Sequence, residues 1–142
     1  MNESSVKAPI VVGVDGSETG DVALRWAARL AQCLDCSVHA MLVWQDVAAG
    51  TGEVVMPPVD WQALGERTLE DSLTKVFGSE RPAGLTTSVV EGHPSHTLVE
   101  ASRDATMLVI GSRGHGGFVG LLLGSVSRTV SAHAHCPVFV AR

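Results

Sequence analysis

Tyrosine is absent from this 142-residue chain, and aromatic residues of all kinds make up only 4% of it. Proteins that bind single-stranded nucleic acid usually stack bases on aromatic side chains, so this composition argues against such a platform. Basic charge is also scarce: ten lysines and arginines face fifteen aspartates and glutamates, for a formal net charge of -5. Because nucleic-acid-binding faces are normally basic, the sequence predicts no nucleic-acid partner.

Long apolar runs are missing as well. The longest span about five to eight residues, whereas a membrane helix needs about 20. Residues 1–8 lack the apolar segment of a signal peptide and are expected to form a disordered tail. The sequence therefore predicts a cytoplasmic protein with no membrane partner.

Cysteine is rare, with Cys33, Cys36 and Cys136 as the three examples. An odd number in a cytosolic protein argues against a disulfide framework. Cys33 and Cys36 close a predicted helix, whereas thioredoxin-like pairs open one, so Cys33 is expected in the core. A zinc site would additionally need ligands such as His133 and His135 to lie nearby.

The order of apolar segments indicates the fold class. With 45% hydrophobic residues, residues 9–142 can build the core of one domain. Helical patterns follow Ser17 or Thr19, either of which can cap the first helix, and Ala23, Trp26 and Ala27 lie at helical spacing within it. Further helices are predicted over 61–77, 94–103 and 125–134, between short apolar strands at 9–15, 37–44, 85–91, 106–110 and 136–142.

This alternation predicts a doubly wound α/β fold. The crossovers are long enough for parallel pairing, and the nearly continuous apolar strands are typical of a sheet covered by helices on both faces. In such sheets the ligand binds at the carboxyl ends of the strands, where the strand order reverses. That rule points to Asp15, after the first strand, and to Gly111, after the fourth.

The glycine-rich stretch from 111 to 127 carries the candidate chemistry. It runs from the end of a buried strand to the start of a helix, where glycines let a ligand approach and backbone N–H groups can surround an anion. The helix beginning at Ser125 adds free N–H groups and the positive end of its dipole. Ser125 and Ser127 supply hydroxyls, and Arg113 can neutralise phosphate charge.

Known phosphate loops do not match this stretch. A Walker A loop needs a lysine after its last glycine, and residues 111–127 contain none. The dinucleotide fingerprint also fails, because Val119 stands where its third glycine should be. Without that lysine or a placed catalytic base, fast phosphoryl transfer has little support.

The glycine spacing resembles that of the universal stress protein family. The family's ATP-binding branch has Gly, two residues, Gly, nine residues, then Gly followed by Ser or Thr, as at Gly111, Gly114, Gly124 and Ser125. Residues 11–17 and 133–140 are similar to the family's first and last strands. The resemblance covers about residues 9–142.

The resemblance implies more than the pattern does. It implies strand order 3-2-1-4-5, a homodimer formed through the last strand at Val138–Ala141, and ATP with Mg²⁺ as ligand. It implies a regulatory role in stress response, with at most slow ATP hydrolysis or self-phosphorylation. Gly13, Val14 and Asp15 would lie near adenine and ribose, and Trp44 would flank the base. Ribose and phosphates would be held by Gly111, Gly114, Gly124, Ser125, Val126 and Ser127.

Two alternatives remain open from the sequence. One is a dimeric interaction protein of the same fold that binds no nucleotide. The other is an enzyme of a related fold, such as a nucleotidyl transferase or an ATP pyrophosphatase. Those enzymes carry a His-x-x-His or Ser-Gly-Gly signature after the first strand, and residues 15–19 match neither.

Overall fold

A computed structural model describes residues 6–46, 58–114 and 124–142 of the chain. Most of the expected tail and the centre of the glycine-rich stretch, residues 115–123, lie outside these ranges. The elements are β1 (Ile10–Gly13), α1 (Glu18–Leu34), β2 (Val38–Trp44), α2 (Trp61–Phe77), β3 (Thr86–Glu91), α3 (Pro94–Ala101), a 3-10 turn (Ser102–Asp104), β4 (Met107–Gly111), α4 (Ser125–His133) and β5 (Val138–Ala141).

The strands form one parallel sheet in the order β3-β2-β1-β4-β5. β1 lies at the centre, with Val12 opposite Ala40 of β2 and Val109 of β4. The chain therefore reverses direction across the sheet between β1 and β4. This confirms both the doubly wound class and the strand order, and it places the ligand-binding crevice of such sheets after these two strands.

Helices cover both faces of the sheet. On one face Val12 packs in a core with Leu24 of α1 and Leu73 of α2, and on the other Val11 packs with Leu98 of α3 and with α4. Val11 and Val12 are both buried, because β1 has a helix layer on each side. No helix in the described ranges is long and apolar enough to cross a membrane.

The ends of α1 follow from local chemistry. Ser17, one of the two caps that the sequence left open, is the N-cap, and its hydroxyl accepts the N–H of Gly20 at 3.1 Å. At the other end Asp35 adopts a left-handed conformation, with φ of 54°, and the N–H of Cys36 bonds to the carbonyl of Ala31. The chain reverses there and enters β2.

Two expectations about α1 are wrong. Cys33 is exposed rather than in the core, and Trp26 remains 37% exposed although its spacing suggested the buried face. The buried stripe consists of small or aliphatic positions and one aspartate, namely Gly20, Asp21, Ala23, Leu24, Ala27 and Ala31. Each helical residue turns by about 100°, so Trp26 lies beyond the edge of this stripe at Ala23, and Cys33 lies close to the opposite side of the helix.

Stability should depend on which face of α2 is changed. Leu73 is fully buried, whereas Leu64 on the same helix is 42% exposed. We expect Leu73→Ala to lower the free energy of unfolding by about 2–5 kcal/mol through lost burial and a cavity. Leu64→Ala, the matched control, should cost much less in the same urea titration. Equal losses would contradict this packing.

Candidate functional site

Asp15 follows β1 and begins the candidate site. Its side-chain oxygen Oδ1 accepts the backbone N–H of Ser17 at 2.9 Å and also the Ser17 hydroxyl. The aspartate therefore forms the turn that leads into α1. Its second oxygen faces the glycine-rich stretch, because a Cβ added to Gly114 would lie 2.6 Å from it. Asp15 as a residue is exposed.

Gly13 and Val14 precede Asp15 and connect it to the end of β1. Val14 is buried, and its N–H bonds to the carbonyl of Met41 at 2.9 Å. A Cβ on Gly13 would lie 3.3 Å from Leu98 and 3.4 Å from Ile110. Gly13 therefore lets α3 and β4 pack closely against the end of β1.

The first turn of α1 holds the end of β4. Thr19 donates its hydroxyl to the carbonyl of Arg113, and a Cβ on Gly111 would lie 2.6 Å from the Thr19 oxygen. Gly111 thus allows close approach of helix and strand. From the sequence, Thr19 was predicted only as a possible helix cap. The residues around Thr19 give no sign of this contact with Arg113.

The start of α4 is attached to the same strand end. Its N-cap is Gly124, whose N–H bonds to the carbonyl of Ser112 at 2.7 Å. The Ser127 hydroxyl donates to the carbonyl of Gly111 at 2.6 Å and is buried. Ser127 therefore fixes the helix with its side chain, whereas Ser125 is exposed.

These contacts bring most of the expected residues together. Arg113 and Gly114 lie beside Gly124, since a Cβ on Gly124 would be 3.5 Å from Cα of Arg113 and 3.7 Å from N of Gly114. The first-turn N–H groups of α4, from Ser125 and Val126 onward, have no acceptor within the helix. Gly124 has no side chain to cap them, so this end of the site suits an anion.

The site combines two chemically different groups beside Gly114. The positive end of α4 favours negative charge, whereas the Asp15 carboxylate repels it and accepts hydrogen bonds. A ligand that carries phosphate at one end and hydroxyl or amino groups at the other matches this arrangement.

Trp44 ends β2 and packs against α2. Its indole N–H donates to Oε1 of Gln62 at 2.7 Å, and its ring lies beside Gly65. Trp44 is half-buried, and its carbonyl accepts the N–H of Gly92 at 2.9 Å. A contact between this ring and a ligand base stays a prediction.

Other candidate ligands are not assembled. Within residues 6–46, 58–114 and 124–142, no three His, Cys, Asp or Glu side chains lie close enough to hold a metal ion. Cys33 and Cys36 are thus not joined by His133 or His135 in a zinc site. Burial raises the pKa of the Cys136 thiol, which disfavours the reactive thiolate.

Fold and site together define a doubly wound α/β protein with a candidate anion site at the carboxyl ends of the strands, where the strand order reverses. The chain belongs to the universal stress protein family, whose model matches residues 8–142. Universal stress protein Rv2623 of Mycobacterium tuberculosis is 36% identical over 139 residues, which cover 96% of this chain and 46% of that protein. The chain spans about half the length of the curated relatives that it matches.

Solved structures share the fold. A universal stress protein in complex with cAMP has a TM-score of 0.63 and 22% identity, with 97% of this chain and 98% of that chain covered. A universal stress protein from Archaeoglobus fulgidus in complex with dAMP has a TM-score of 0.61 and 24% identity, with 96% and 99% covered. Both are similar to this chain along nearly its whole length.

The close contact between α1 and β4 should make the stability of the protein sensitive to substitution of Gly111. A Cβ on Gly111 would lie 2.8 Å and 2.9 Å from backbone atoms of Thr19, which cannot move without shifting α1. We expect Gly111→Ala to lower the free energy of unfolding by about 1–3 kcal/mol, as overpacking does.

Gly124→Ala serves as the comparison in the same urea titration. Its added Cβ would meet ordinary contacts of 3.5 Å or more, and the poorer N-cap should cost only about 1 kcal/mol or less. A Gly111→Ala variant as stable as the parent protein would show that the first turn of α1 is not tightly packed on β4.

Proposed function

We propose that this chain is an ATP-binding universal stress protein domain that acts as a nucleotide-dependent regulator. One observation carries the proposal: α4 begins at a glycine N-cap directly beside the backbone of Arg113 and Gly114, and Oδ2 of Asp15 faces Gly114. In this arrangement, N–H groups suited to an anion and a hydrogen-bond acceptor lie together at the carboxyl ends of β1 and β4.

In this proposal the N-terminus of α4 and the Asp15 carboxylate orient the nucleotide. The triphosphate lies at the α4 N-terminus, with Gly111, Gly114, Gly124, Ser125, Val126 and Ser127 around ribose and phosphates. Asp15 accepts hydrogen bonds from the adenosine end, which lies on Gly13 and Val14, and Trp44 flanks the base. The complexes of similar folds with cAMP and dAMP support an adenine nucleotide as the ligand class.

In this proposal Mg²⁺ binds together with the nucleotide and not to the protein alone. The described residues contain no group of side chains that holds a metal alone, so phosphate oxygens would supply most of its ligands. Mg²⁺ usually keeps several waters and binds through phosphates in such sites. The exposed hydroxyl of Ser125 is the protein group suited to contact that shell.

A regulatory role fits the position of the ligand better than turnover does. The nucleotide would contact the β1–α1 turn and the start of α4, and a ligand that favours one arrangement of these segments changes what the surface can bind. Residues 111–127 lack the lysine of a Walker A loop, so any hydrolysis or self-phosphorylation should be slow. We place this activity in the cytoplasm, in a homodimer formed through β5.

Thermal unfolding with millimolar ATP and Mg²⁺ tests the nucleotide site. A ligand at 100 times its Kd should stabilise the parent protein by about 2.7 kcal/mol. Gly124→Ala should reduce this shift in unfolding temperature, because its methyl group would lie beside the phosphates. Ser125→Ala should reduce it because the variant loses a hydroxyl that can contact the ligand. Calorimetric titration of each folded variant gives the affinities directly.

Ser131→Ala is the matched control, since Ser131 is exposed near the far end of the same helix. It should bind ATP as the parent does. Parallel titrations with ADP, AMP and cAMP identify which nucleotide binds most tightly. If none of them shifts the unfolding temperature, the nucleotide proposal fails and an interaction protein of the same fold becomes the better account.

A further inference from the structure

Three polar side chains on β2 and β3 form a hydrogen-bonded cluster outside the candidate nucleotide site. His39 lies opposite Thr86 in the parallel register of the two strands, and Ser88 follows two residues later on the same face. Nδ1 of His39 lies 2.6 Å from the Thr86 hydroxyl, and Nε2 lies 2.8 Å from the Ser88 hydroxyl. Both ring nitrogens of the histidine are therefore paired with hydroxyl groups of the neighbouring strand.

The cluster lies on a part of the sheet that borders solvent. His39 is level with Val11 of β1, whose side chain packs with α3 and α4, so the cluster shares the face that these helices cover at the centre of the sheet. Among the helices of the described residues, only α2 packs extensively on β3, and it covers the opposite face. Thr86 is accordingly exposed, and His39 and Ser88 are only half-buried.

The imidazole of His39 is suited to act as a base toward Ser88. Partial burial lowers the pKa of His39, which favours the neutral ring with one N–H and one nitrogen lone pair. When Nδ1–H donates to Thr86, Nε2 accepts the hydroxyl proton of Ser88. Thr86 then holds the ring in the tautomer that activates Ser88. A nucleophile, a base and a group that orients the base are the three parts of an activated hydroxyl.

We propose that Ser88 is an acylation site, whose hydroxyl oxygen takes an acyl group from an activated donor while His39 removes the hydroxyl proton. Acyl phosphates and aryl esters are donors of this class. Oγ of Ser88 bonds to the carbonyl carbon, the Oγ proton passes to Nε2 of His39, and the bond from that carbon to the phosphate or phenolate oxygen breaks. The leaving group departs with the electron pair of that bond, and His39 returns the proton to it or to water.

This acylation site is separate from the proposed nucleotide site. Asp15 and the start of α4 lie at the carboxyl ends of β1 and β4, whereas His39 and Thr86 lie at the amino ends of β2 and β3. The two sites share no residue. Nucleotide binding and acylation can therefore fail independently of each other, and a test of one is not a test of the other.

A second serine–histidine pair provides an internal comparison. Oγ of Ser95 lies 2.9 Å from Nδ1 of His93 at the start of α3. Ser95 is only 6% exposed, whereas Ser88 is half-buried on the open part of the sheet. If a histidine partner alone made a serine reactive, Ser95 would react as fast as Ser88. We expect Ser88 to react and Ser95 not to react.

Incubation with 4-nitrophenyl acetate, acid quenching at increasing times and peptide mass mapping test the proposal. The parent protein should carry an acetyl group on Ser88 and none on Ser95. Mapping is needed because lysines and the exposed Cys33 also react with aryl esters. Ser88→Ala should lose the label at position 88, whereas Ser95→Ala, the matched control, should acquire acetyl-Ser88 at the parent's rate. No acetyl-Ser88 in the parent, or equally fast labelling of Ser95, would overturn the proposal.

The rate of Ser88 labelling separates the roles of His39 and Thr86 in variants that circular dichroism shows to be folded. His39→Gln should slow labelling by about 100-fold or more, the usual contribution of a general base. Thr86→Val should slow it about fivefold through the loss of one hydrogen bond, and Thr86→Ser should restore the parent's rate. Equal rates in the parent and in His39→Gln would overturn the assignment of His39 as the base. Equal rates in the parent and in Thr86→Val would remove Thr86 as a positioning residue.

Discussion

The packing of the first turn of α1 on the end of β4 is the constraint on which the candidate site depends. Thr19 holds the carbonyl of Arg113, and Gly111 leaves room for the helix backbone. This contact joins two segments that are more than ninety residues apart. It brings the Asp15 turn beside Gly114, so that neither half of the site has its geometry without the other.

The sequence predicted the sheet well because its signals are local. A buried parallel strand needs successive apolar residues, and every crossover needs a helix of sufficient length, so both features can be read in short windows. The strand order came instead from the family resemblance, and the structure confirms it. Ser17 was also predictable, since a cap acts within three residues of its own position.

The errors come from contacts that a short window does not contain. Trp26 and Cys33 had helical spacing compatible with burial, but which side of α1 is buried is set by what the helix packs against. Thr19 was itself a candidate cap, and its hydrogen-bond partner at Arg113 lies 94 residues further along the chain. Ser127 was predicted at a phosphate, which stays a prediction, and the bond from its hydroxyl to the carbonyl of Gly111 was not foreseen. A side chain whose role is set by a distant backbone atom leaves no periodic signal.

Ser112 connects the two surfaces of this domain that matter for its proposed role. Its carbonyl accepts the N–H of Gly124 at the candidate phosphate site, and its N–H bonds to Ala141 at the end of β5. A ligand influences a distant interface only if it binds two arrangements with different affinity. Ser112 is buried and bonded to both the α4 cap and the edge strand, so one residue holds the start of α4 and the end of β5. Coupling between the two surfaces would therefore require the Ser112 backbone to differ between the nucleotide-bound and free states, and linkage would make that coupling reciprocal.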